Sequence, residues 1–250
     1  MWPDPWVLAV AVPAVLFAGI SKGGFGSGAA FAATPILALA IDPKVAVGLL
    51  LPLLMLMDVV TLKSFWRQWH GPSAWALIVG CLPGIALGAW LFSAIDAATL
   101  RLFIGVIALV FVAYQQARIR GWLKIQDREF SPVFGGIAGA VAGFTSFVSH
   151  AGGPAVAVFL LAQGMRKTEY QATSVIVFWV MNFLKCIPYA FLGAFTVNTL
   201  VLDLWLAPVA VVGALLGIRA HHMVPERAFF TLTYILLTLT GTKLVWDALA

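Results

Sequence analysis

The chain has 250 residues, of which 62% are hydrophobic and 10% charged, with a formal net charge of +5. A soluble domain carries about 25% charged residues, so this composition, with a mean hydropathy of +1.00, excludes a soluble fold and predicts an integral membrane protein. The basic balance does not point to nucleic acid: Arg118, Arg120, Lys124 and Arg128 cluster between apolar spans, as cytoplasmic loops do, and no basic stripe interleaves with exposed aromatics.

In chain order, Met1 to Trp6 carry no positive charge, so no cleavable signal peptide is expected. The first apolar region, 6–41, is interrupted by Ser21-Lys22-Gly23-Gly24-Phe25-Gly26-Ser27-Gly28. Spans follow at 43–62, 74–92 and 100–117. A second interrupted region, 132–164, holds Ser149-His150-Ala151-Gly152-Gly153-Pro154, and spans at 168–192, 204–220 and 228–246 complete the chain. The arms flanking each interruption run only roughly 11–18 residues, short of the ~20 that a full crossing takes, so each region is expected to fold as a hairpin of short helices. Trp66, Trp69, Trp122 and Trp246 fit membrane-interface belts. Cys81 and Cys186 lie inside apolar runs and read as reduced thiols.

The two halves read as copies, about 6–120 and 132–247, giving one repeat over 1–125 and a second over 126–250 within a single membrane domain. Each has a break, then a turn (Asp42-Pro43-Lys44 or Arg166-Lys167-Thr168), then a span with a mid-helix polar residue (Asp58 or Asn182) and a following lysine (Lys63 or Lys185). Next comes a span with paired glycines, Gly84 and Gly88 or Gly213 and Gly217, at a spacing that lets helices approach closely. Lysine and arginine counts place loops 63–70, 118–128 and 219–227 in the cytoplasm and 93–99 and 193–203 outside. The turn at 42–44 then lies outside and that at 166–168 inside. If each broken region returns to its starting side, each copy crosses an odd number of times and the copies are inverted, with the N-terminus outside. The expected fold is all-α: a polytopic helix bundle of two inverted repeats, each a broken Gly-rich hairpin followed by three transmembrane helices.

Glycine clusters with a lysine in hydrocarbon are tolerated where unwound backbone lines a cavity, and paired interruptions in corresponding halves mark transporter binding sites. Glycines free the backbone for positive φ and expose N–H groups, which together with a restarting helix dipole suit an anion. The expected anion ligands are Lys22, Ser27, Ser149 and His150 with the backbone of Gly23, Gly24, Gly152 and Gly153, and Lys185 beside them. Asp58 and His150 are the candidates for a coupled proton. Blander readings stand beside these. The glycines could serve only close packing, Lys22 and Lys185 could snorkel, His150 could be a neutral packing residue, Asp58 could pair with Lys63, and Asn182 reads better as an interhelical hydrogen bond than as a ligand.

Ser27 with His150 suggests an intramembrane serine protease only weakly, because Phe25 breaks the glycine pattern of such a nucleophile. The four histidines show no metal-ligand spacing with acidic partners, so no metal and no cofactor are expected, and no Walker motif is present. A channel with the same site stays open as an alternative, although two dissimilar breaks suit alternating access better.

Gly19-Ile20-Ser21-Lys22-Gly23-Gly24-Phe25-Gly26-Ser27-Gly28, followed by 35–46 with its Pro43-Lys44-Val45-Ala46 turn, resembles the signature of the TauE/SafE, or sulfite-exporter-like, family. Ala142 to Ser146, Gly152-Gly153-Pro154 and Ala172-Thr173-Ser174 resemble the family's second signature. The likeness spans nearly the whole chain. It implies an exporter of sulfite, a sulfonate, thiosulfate or a related small organic acid, driven by the proton gradient, in a bacterial inner membrane. The implied partners are that anion and lipid, with a homodimer allowed for. His150 and Pro154 depart from the family's glycine-richer second break.

Overall fold

The computed structural model describes residues 4–25, 30–123, 128–220 and 226–250, with side chains from 229 onward in the last segment. The described residues are helical throughout, with no strand. The helices are α1 (Pro5–Ile20), α2 (Ala33–Ala38), α3 (Pro43–Ser64), α4 (Gly71–Ala94), α5 (Ala97–Ile119), α6 (Pro132–Ser149), α7 (Gly153–Leu161), α8 (Lys167–Phe191), α9 (Val197–Ala220) and α10 (Glu226–Leu249). Eight helical stretches are long and apolar enough to cross a bilayer, so the chain is a multi-pass membrane protein. Its outer surface agrees: Phe191 and Val197 project outward at 88% and 78% exposure, which an apolar side chain favours in lipid.

Local chemistry sets the helix starts. Asp4, Asp42 and Ser131 each precede a proline and accept a backbone N–H of the first turn, satisfying donors that a helix leaves open, while proline has no N–H to lose there. Asp96 caps α5 by accepting from Thr99 N at 2.8 Å, and the Thr99 hydroxyl and N–H hold its carboxyl below the usual carboxylate range. The expected outer loop at 193–203 is shorter than composition suggests, because α9 already begins at Val197. Asp203 is thereby drawn into the helix.

Both interrupted regions are hairpins of a long arm and a short one. α6 is followed by the nine-residue α7, whose end comes back to the start of α6, where Arg128 N donates to Ala162 O at 2.7 Å. α1 continues through a π-helical turn, Ser21–Phe25, and the chain returns through a short 3-10 turn and α2.

The long arms pack on helices of the opposite half. α1 lies along α9 and α6 along α4, and both contacts are made backbone to backbone through glycine. A Cβ built on Gly84 would stand 2.0 Å from Ala140 O, and one on Gly23 would stand 2.2 Å from Ala214 O. No side chain fits at either place. The paired glycines of α4 and α9 thus do what their spacing suggested. α5 packs on α10, and α3 and α8 lie at the centre, each touching the other and the glycine helix of the opposite half.

Candidate functional site

The first break carries its charge inward. Gly23 and Gly24 press on the α9 backbone, so the π turn places Lys22 on the opposite side, toward α3. Lys22 is 3% exposed and its Nζ lies 2.5 Å from Asp58 Oδ1. It also donates to Leu54 O at 3.3 Å. Asn182 Nδ2 donates to the other Asp58 oxygen at 2.7 Å, and Gln171 Nε2 donates to Lys22 O at 3.1 Å. Asp58 therefore pairs across 36 residues of chain with Lys22, and Lys63 lies exposed at the helix end. The positive φ expected of the glycines is absent at Gly23 and Gly24, which remain helical. Their residue type is explained by contact with α9. Gly26, Ser27 and Gly28 lie outside the described residues.

The second break carries no charge of its own. α6 ends on His150 in the left-handed region, φ 57°, an uncommon conformation for a residue with a Cβ. Its Nε2 lies 2.9 Å from Val47 O. A carbonyl only accepts, so Nε2 carries the proton and Nδ1 is the lone-pair nitrogen. That nitrogen accepts from Lys185 Nζ at 3.0 Å. Lys185, fully buried, also donates to Ser146 O at 3.1 Å and Ser146 Oγ at 2.9 Å. Among the described residues no carboxylate forms an ion pair with it. Ser149 is turned away, donating to Thr145 O at 3.1 Å, so Ser146, one turn earlier, presents the hydroxyl. Gly152 and Gly153 are buried at the start of α7, whose N-terminus no side chain caps. The positive end of that helix dipole is left to the interior.

Lys22 and His150, from the two breaks, line one cavity together with Ser146, Asn182, Leu54 and Phe31. Its volume is about 10 Å³, room for about one water and none for an oxyanion. Lys22 and Lys185 face a single carboxylate, Asp58, among the described residues, so protonating both amines leaves one positive charge uncompensated in the core. Charges in low dielectric are costly unless paired, so the site favours an added anion. Toward the 192–196 turn, the Tyr189 ring lies edge-on to His150 at 6.4 Å and packs with Phe92 and Phe147, its ring edge-on to Phe147 at 4.5 Å and its hydroxyl donating to Phe147 O at 2.5 Å. Toward the other end the π turn and Gln171 separate it from a vestibule of about 760 Å³, lined by Gly24, Gln171, Arg118, Lys167 and Tyr170 among others.

Of the residues expected at the site, Lys22, His150 and Lys185 come together, and Asp58 joins them through Lys22. Ser149, Gly23 and Gly24 do not line the cavity. Ser146, Asn182 and Gln171 do belong to its walls or partition, and the available signal was their polarity inside otherwise apolar spans. Among the described residues no group of three or more His, Cys, Asp or Glu is placed to hold a metal.

A family model described as sulfite exporter TauE/SafE matches residues 11–244. Comparison with curated proteins finds no match, and neither does comparison with solved structures.

Proposed function

The chain belongs to the sulfite exporter TauE/SafE family, and from that premise we propose that it is a secondary exporter of a small sulfur-containing anion such as sulfite or an organosulfonate. The observation that carries this reading is the Lys185 amine: fully buried and, among the described residues, held by Ser146 and His150 with no ion-pair partner. The anion supplies that counter-charge. Lys22, shared with Asp58, is the second cation within reach, and the uncapped N-terminus of α7 at Gly152 and Gly153 adds donor groups. Ser27 at the first break is proposed as a further hydroxyl ligand.

The two halves are proposed as inverted repeats that rock around this site, with the reciprocal packing of α1 on α9 and α6 on α4 supporting the assignment. Closure on both sides suits alternating access rather than a continuous pore. The vestibule lies at the end carrying Arg118, Arg120, Arg128, Arg166 and Lys167, which by the positive-inside rule is the cytoplasmic one. In a bacterial inner membrane the N-terminus would then be periplasmic. An anion collected in the vestibule reaches Lys22 and Lys185 when Gln171 releases Lys22 O. On the other side the Phe147–Tyr189 contact must part to let it leave. Within the anion site, Asp58 and His150 are the candidates to pass on a coupled proton, and each must give up a hydrogen bond to titrate.

Proteoliposomes loaded with sulfite test this. Efflux through the wild type, and its loss by more than about tenfold in Lys185→Met and Lys22→Ala, is expected from removing a buried charge contact worth ~2–5 kcal/mol. Efflux from Lys185→Met at the wild-type rate would overturn the assignment of the site.

A further inference from the structure

Asp203 is a second buried acid, and nothing in the anion site uses it. It sits on α9, seventh residue of the helix at 1.5 Å rise per residue, so ~9 Å below the outer turn. It is 7% exposed, and among the described residues neither carboxylate oxygen has a hydrogen-bond partner or reaches the surface. Buried polar groups are almost always satisfied, and an isolated carboxylate in a medium this apolar is carried neutral instead. An ionisable side chain within a membrane span is a functional candidate by default.

Among the described residues its surroundings offer no counter-charge. α1 packs against α9 with apolar side chains, and its nearest ionisable group, the capping Asp4, is bonded to Trp6 N. α3 brings Asp42, which caps its own helix, and Lys44, whose Nζ donates to Ile95 O at 2.7 Å. Asp58 of α3 and Lys22 of the π turn are committed to one another, and Arg219 of α9 lies at the opposite end of that helix. Thr196 and Thr199 in the turn above are bonded to each other.

We propose that Asp203 is a proton-binding site of the carrier, loaded in this closed arrangement and exchanging with water at the outer end when α9 parts from α1 and α3. The proton bonds to one carboxylate oxygen in the closed state. It leaves to water, and the carboxylate is hydrated, in the open one. Because α9 also carries Ala214 and Gly217, against whose backbone Gly23 and Gly24 of the Lys22 turn rest, movement of this helix links the state of Asp203 to the anion site. The inference builds on the transport reading above, but its first test does not depend on it.

Infrared spectra of the purified full-length protein in nanodiscs, compared between wild type and Asp203→Asn across pH 5 to 9, report the protonated carboxyl directly. A carboxylic-acid carbonyl band present at neutral pH in the wild type, missing in the variant and lost as pH rises, is the expected result. Absence of any such difference, or a band unchanged across the range, overturns the proposal. The second arm uses proteoliposomes loaded with methanesulfonate, a strong-acid anion that carries no proton itself, with an internal pH dye. Protons moved per anion should fall at least about fivefold in Asp203→Asn and return in Asp203→Glu. An unchanged ratio in Asp203→Asn overturns the coupling role. If the wild type moves neither methanesulfonate nor sulfite while the band titrates, the transport reading fails and the proton site stands. If Asp203→Asn does not fold, Asp203→Glu replaces it in the infrared arm, and a titration no different from the wild type overturns the proposal.

Discussion

The two broken segments place charge in the core by opposite means. At the first, the break brings the lysine and the helix beside it brings the acid: Lys22 meets Asp58 of α3. At the second, the break brings only neutral acceptors, Ser146 and His150, and the helix beside it brings the lysine, Lys185 of α8. The positions compared are similar, with Asp58 in mid-α3 opposite Asn182 in mid-α8. The difference lies in what is neutralised. One lysine has a structural counter-ion and the other, among the described residues, has none, which teaches that similar halves can divide labour, one closing its own charge pair and the other, on the proposed reading, left to pair with the anion.

The largest effect should come from breaking the neutralised side. Asp58→Asn keeps the shape but leaves Lys22 buried without its acid, and is expected to cost ~3–5 kcal/mol, read as a drop in melting temperature in detergent. Adding Lys22→Met to Asp58→Asn should recover most of that loss without restoring efflux. A double variant no more stable than Asp58→Asn would show that the pair is not the source of the effect.

Next comes the glycine seam on which the halves exchange arms. Gly84→Val forces a side chain into Ala140 O and should destabilise by about 3 kcal/mol, whereas Gly136→Ala, with open space around the added carbon, should stay within about 0.5 kcal/mol. Equal melting temperatures for the two would remove the close approach of α4 and α6 as their cause.

The unneutralised side should behave the other way. Lys185→Met removes a buried amine that has no ion-pair partner among the described residues, so its resting stability should equal or exceed that of the wild type. What it should lose is stabilisation by ligand, which for the wild type reaches ~2.7 kcal/mol at a hundredfold excess of sulfite over its dissociation constant. A Lys185→Met protein still stabilised by sulfite would place the anion elsewhere.

The smallest contrast is at the turns that lead into α3 and α8. Asp42 caps α3 through Lys44 N and Val45 N, and Asp42→Ala should cost ~1 kcal/mol. Arg166 at the start of α8 makes no side-chain cap, so Arg166→Ala should cost nothing measurable by the same melting assay.

Much of this was legible in the residues. Apolar runs of bilayer length determined the membrane class, and Gly/Pro interruptions located both hairpins, because backbone in hydrocarbon must satisfy itself and any break in a helix stands out. Lys22, His150, Lys185 and Asp58, which the structure gathers in one buried cluster, drew notice for a similar reason: polar groups are rare in such spans. Their partners were not. Asp58 has Lys63 nearby in sequence and Lys22 nearby in space, and only the packing of α1 against α3 and α9 decides between them. Ser146 and Ser149 are one turn apart, and which of them faces the cavity depends on the rotation of α6 set by its glycine contacts with α4. Asp203 read as a loop residue, since a charge near a span end is ordinarily solvated, until the start of α9 at Val197 buried it. The sequence by itself determined which groups the membrane would have to accommodate. The tertiary structure decided which of them neutralise one another, because pairing depends on distances of a few ångströms between helices that are far apart along the chain.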